Sequence, residues 1–139
     1  MEYYSTPEDV IQYTGIQPGD LNLEDDDPEG EDPKTAADKR TALLEKWLKQ
    51  ITSLIHGHQK MNYLELVDNE ELEEVPAGIH NIAMRMAANM VGQAVLRRET
   101  PIVKIDDFAV KMVSDAVMTK DIRTDLKELP HNKEGLSFF

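Results

Sequence analysis

Residues 76–100, PAGIHNIAMRMAANMVGQAVLRRET, confine their polar side chains to one narrow ribbon. Asn81, Arg85, Asn89, Gln93 and Arg97 recur at every fourth position, which on an α-helix sets them along a single slowly drifting line. Ile79, Ile82, Met86, Met90, Val91, Ala94 and Val95 then cover most of the remaining circumference. A helix apolar on so many sides has to be surrounded. A chain of 139 residues has few other elements to surround it, so the pattern predicts a mainly α fold in which a neighbouring copy completes the wrapping.

Upstream, Leu44, Trp47, Leu48, Ile51, Leu54 and Ile55 recur at three- and four-residue steps, the strongest amphipathic pattern in the chain, with Trp47 expected in the core. Asp32 and Pro33 offer that helix a cap and a first-turn proline, and His56 with Gly57 a stop. At the front, Thr6, Pro7, Glu8 and Asp9 start a short helix running to about Tyr13, which Gly15 ends. Pro18 and Gly19 then turn the chain into an acidic loop, 20–32, expected to be mobile.

Pro76 opens the Met-rich helix, and Thr100 with Pro101 closes it. Across 102–117, Val103, Ile105, Phe108, Val110 and Met112 alternate as in a β-hairpin, whereas Phe108, Met112 and Ala116 also fit a helix. The hairpin is the expectation, although its turn at Asp106 and Asp107 lacks the glycine that tight hairpins prefer. Thr119 caps a final short helix with Ile122, Leu126 and Leu129 as its apolar edge; Pro130 ends it, and 130–139 reads as an extended tail. Together these signals predict one domain over residues 1–139, a small bundle of about four helices with a short β-hairpin between the third and the last.

The apolar fraction of 40% is somewhat low for a compact globule, and the shortfall sits in the acidic loop. With no cysteine, disulfides, thiolate metal sites and Cys-His nucleophiles are excluded. No apolar run approaches a membrane span and the start MEYYSTPEDV has no signal-peptide character, so a soluble, unprocessed chain without membrane contact is expected. The net charge of -12 is unevenly spread: 1–33 and 61–76 hold no Lys or Arg, while Lys34, Lys39, Arg40, Lys46, Lys49 and Lys60 outnumber Asp38 and Glu45 between them. Such a dipolar surface favours ordered contacts with copies of itself or a complementary partner, and disfavours tight non-specific binding to nucleic acid.

No P-loop, dinucleotide fingerprint or GxSxG elbow occurs. His56 and His58 flank a glycine at an expected helix end with no companion ligand in view, and His80 reads as an ordinary first-turn polar residue. Asp25, Asp27, Glu29 and Gly30 imitate the opening of an EF-hand loop, but Ala36 stands where the bidentate Glu belongs and Pro33 interrupts the run. Arg97, Arg98, Lys104 and Lys111 form at most a small basic patch without interleaved aromatics. Glu70 and Glu74 share a helical face, which is far more often solvated surface than a catalytic pair. No enzyme, cofactor or metal site is expected.

The opening TPEDVIQYTG, the amphipathic ALLEKWLKQITSLI, the proline-led VPAGIHNIAMRMAANMV and the sequel KIDDFAVKMVSDAVMTKDIRTDLKEL follow one another in a familiar order. In that order the chain resembles the small head-tail connector (adaptor) proteins of long-tailed bacteriophages and prophages; the acidic loop 20–32 departs from their compact pattern. The resemblance implies a structural virion protein, mainly helical, that assembles as a ring, commonly of twelve copies, beneath the portal. Its partners would be itself, the portal protein and a tail-side stopper or completion protein, with DNA passing through unbound. It would reside at the head-tail interface of the virion, and in the host cytoplasm during assembly. The carboxy-terminal segment would reach the portal, with Leu136, Phe138 and Phe139 as apolar anchors. Subunit contacts are expected at Met86 and Met90, whose side chains adapt to imperfect surfaces, and along the hairpin at Ile105, Phe108, Val110 and Met112. A second reading from the same charge runs is a small acidic regulator that binds a basic protein surface or mimics DNA.

Overall fold

Local capping chemistry starts the first element. Thr6 Oγ1 accepts the Asp9 N–H, Pro7 sits in the first turn, and α1 (Pro7–Thr14) stops at Gly15, which takes the left-handed conformation with φ 69°. The computed structural model describes residues 2–97 and 108–131, and all regular structure among them is helical. A 3-10 turn (Pro18–Leu21) buries Leu21 and leads into the acidic loop. There follow α2 (Ala36–Gln59), α3 (Tyr63–Asp68), α4 (Ile79–Arg97), a second 3-10 turn (Val110–Val113), α5 (Ser114–Val117) and α6 (Lys120–Lys127).

Several boundaries differ from those the sequence suggested. Thr35, not Asp32, caps α2: its hydroxyl accepts the Asp38 N–H while the Asp38 carboxylate accepts the Thr35 N–H, a reciprocal box that satisfies two orphan donors. Gly57 does not stop α2. The helix runs on to Gln59 because Ile55 and Gln59 continue its buried face, and Lys60 takes the left-handed terminal position with φ 54°. Pro76 stands a turn ahead of α4, with Gly78 at φ 92° between them. The six-residue α3, started by the Asn62 side chain on the Glu65 N–H, is too short to show periodicity.

The expected β-hairpin is not supported. Its second arm is a 3-10 turn followed by α5, and no strand occurs among the described residues; 102–107, including Ile105, lie outside them. Val110, Val113 and Val117 are buried at three- and four-residue steps, so helical rather than alternate spacing meets the core.

The long α4 lies in the centre, packed by α1, α2, α5 and α6. Its Ile79, Ile82, Ala83, Met86, Ala87, Met90, Val91 and Ala94 join Leu44, Trp47, Leu48, Ile51 and Ile55 of α2 in one buried cluster. The premise that α4 needs a neighbouring copy to cover it is therefore corrected: the short helices α1, α5 and α6 bring Val10, Val117, Ile122 and Leu126 to the sides that α2 leaves open. Even the polar ribbon is occupied. Arg85 pairs with Asp125 of α6 at 2.6 Å, and the Asn89 amide donates to the Val117 carbonyl of α5 at 3.1 Å.

Candidate functional site

Three groupings bring polar side chains together within the core or at its margin. The first joins the amino-terminal segment to the ends of α2 and α6. The Tyr4 hydroxyl, 2% exposed as a residue, is hydrogen-bonded to His56 Nε2 at 2.6 Å, and the Tyr4 ring meets that of Tyr63 at the start of α3 edge-on. Gln59 Nε2 donates to the Tyr63 hydroxyl at 3.0 Å and to the Leu126 carbonyl at 2.7 Å, while the Tyr63 hydroxyl donates to the Pro130 carbonyl. Burial pushes both phenols up, and it pulls His56 below its ordinary value, opposed only by the Glu65 carboxylate. Every member of the network contributes to fastening, and none is presented to a ligand.

The second grouping is Ser5, His80 and Asp9, the residue types of a nucleophilic triad. The geometry does not make one. Ser5 Oγ at 3.4 Å and Asp9 Oδ2 at 3.0 Å both meet the same ring nitrogen, Nε2 of His80, whereas a relay needs the carboxylate on the nitrogen opposite the nucleophile. The contact instead ties α1 and its leading segment to the first turn of α4.

The third is a groove of 840 Å³ between α2 and the segment that leads into α5. Lys46, Lys49, Gln50, Ser53 and Leu54 line one side, Ala109, Val110, Lys111 and Met112 the other. Two hydrogen bonds hold the walls together: Trp47 Nε1 donates to the Phe108 carbonyl at 2.9 Å, and the Val110 N–H donates to Gln50 Oε1 at 2.8 Å.

The acidic loop is braced against α2. Asp25 accepts the Ala36 N–H, Asp26 pairs with Lys39 at 2.6 Å and accepts the Lys34 N–H, and the Lys39 ammonium also reaches the Glu24 carbonyl. The Lys39 contact above all holds the Asp26 carboxyl below the usual range. These carboxylates serve their own backbone, and no group of three or more acidic or histidine ligands among the described residues is arranged to hold a metal ion. Glu70 and Glu74, read as sharing a helical face, lie in the turns after α3 instead.

Of the side chains expected at subunit contacts, Met86 and Met90 are 0% exposed within a single chain, and Phe108 and Val110 are also core residues. That places four of them in the interior of the chain, where intramolecular packing accounts for them. Met112 is 52% exposed and lines the groove. Ile105 and the tail residues Leu136, Phe138 and Phe139 lie outside the described residues. Sequence reasoning overlooked Leu96, 75% exposed on α4, although its position among polar neighbours at the helix end marks it. No described helix is long and apolar enough to cross a membrane. Comparison with protein-family models, curated proteins and solved structures gives no match to this chain.

Proposed function

We propose that the protein is a non-enzymatic head-tail connector subunit, docking as a ring beneath a phage portal and joining capsid to tail while DNA passes through. What supports this reading is the order of sequence segments that resembles such connectors, together with a mainly helical body of capped α1, long α2, Met-rich α4 and short α6 closed round one core. Because that core is complete in one chain, assembly in this scheme is the docking of finished subunits through their surfaces. Leu136, Phe138 and Phe139 serve as the portal anchors, and exposed carboxylates facing the tunnel would repel the phosphate backbone of moving DNA.

The test is to mix the purified protein with candidate portal proteins, weigh the products by light scattering and look for rings in negative stain. Rings that form only with a portal are expected; monomers indifferent to every portal count against the proposal. Deleting residues 137–139 should weaken portal docking without unfolding the domain, read by pull-down beside circular dichroism.

One observation favours the regulator as a second reading. Asp68, Glu70, Glu71, Glu73 and Glu74 are exposed and form no ion pair among the described residues, as a surface that seeks a basic partner would require. Competition with DNA for a basic protein, without any response to portal, would favour it.

A further inference from the structure

The groove between α2 and the segment before α5 combines two properties that rarely coincide in so acidic a chain. Its rim carries Lys46 and Lys49 from α2 and Lys111 from the opposite wall, and among the described residues no carboxylate lines it. Its floor is apolar, with Leu54, Val110 and a half-exposed Met112. The sequence as a whole has 27 acidic against 15 basic residues, so a lysine-rimmed apolar trough runs against the composition around it. The trough is also built. Trp47 and Gln50 of α2 hydrogen-bond the backbone at Phe108 and Val110, which fixes the separation of its walls.

We propose that this groove docks an acidic segment of a partner protein, one that sets a bulky apolar side chain on Met112 and Leu54 between carboxylates paired with Lys49 and Lys111. Charge complementarity selects the carboxylates, and the apolar floor selects the anchor. A nucleic acid fits less well: among the described residues the lining offers no aromatic ring for base stacking, and the net charge of -12 repels a polyanion at long range. The proposal does not rest on the connector reading and stands or falls separately.

The test uses the full chain and a fluorescein-labelled peptide, Asp-Asp-Leu-Phe-Asp-Glu, followed by fluorescence anisotropy at low salt. Saturable binding is expected. It should weaken by about tenfold or more in Lys49→Glu with Lys111→Glu, fall in Met112→Ser, and vanish for a peptide with Ser in place of Leu and Phe. Amide exchange should show protection at 46–54 and 109–112. Circular dichroism and unfolding curves verify that the variants fold; if the charge reversal does not, Lys49→Gln with Lys111→Gln replaces it, with a smaller loss expected. Absence of binding, or binding indifferent to these substitutions, overturns the proposal. So does displacement of the peptide by an equal concentration of oligothymidylate, which would make the groove a polyanion site. Self-association abolished by the same lysine substitutions overturns it too, since the occupant would then be a second copy.

Discussion

Tyr4 stands where three segments meet, its hydroxyl hydrogen-bonded to His56 near the end of α2 and its ring edge-on to Tyr63 at the start of α3. Tyr4→Phe keeps the ring and removes that hydrogen bond, leaving His56 Nε2 without this partner in a half-buried place. A loss of about 1–3 kcal/mol is expected in urea unfolding. His56 is the pH-sensitive member. Its folded value lies below the ordinary 6.5, so just below that pH the unfolded chain binds the proton more readily, and stability falls as the pH drops. Thermal melts at pH 7.5 and 5.5 should therefore show a larger drop for the wild type than for His56→Gln; equal drops would refute the assignment. None of these contacts was legible in the sequence. Tyr4 and His56 are 52 positions apart, and Ser5 and His80 are 75 apart, beyond anything that spacing rules report.

At the scale of elements, α4 decides the fold, and it is where sequence reading was both strongest and most incomplete. The periodicity of Ile79 through Ala94 marks the helix and its buried faces, since alternation at three and four residues has no other economical explanation. What it lacks is the identity of the cover. The apolar edges that supply it belong to α1, α5 and α6, each of eight residues or fewer, and such short pieces carry little periodic signal. Hence Met86 and Met90 belong to the interior. Met90→Ala should cost about 2–5 kcal/mol of stability, measured by denaturant titration of the free chain. Leu96→Ser, at a position 75% exposed, should shift the same curve by no more than about 0.5 kcal/mol. Caps were easier to read where one residue competed for the role, as at Thr6, than where Asp32 and Pro33 imitated a start that Thr35 and Asp38 actually provide.

For the whole molecule, the sequence revealed the helical class and the uneven charge, but not that one chain closes its own core. The groove was illegible for the same reason, since Lys49 and Met112 are brought together only by folding. A finished core and a net charge of -12 both act against spontaneous association. Sedimentation velocity at neutral pH and low salt should show a folded species near 15.8 kDa, and larger particles only when a partner is added. Oligomers of the free chain would contradict that expectation.

Tyr4 packs edge-on against Tyr63, and Tyr63 in turn holds Pro130, so the paths by which the backbone enters and leaves the helical body are knotted at one pole. Tension drawn between those two points would be borne by a few hydrogen bonds and ring contacts there, and the central rod would feel little of it. A pull from outside would thus peel that pole open first and leave the remainder intact, as a buckle gives way before the strap.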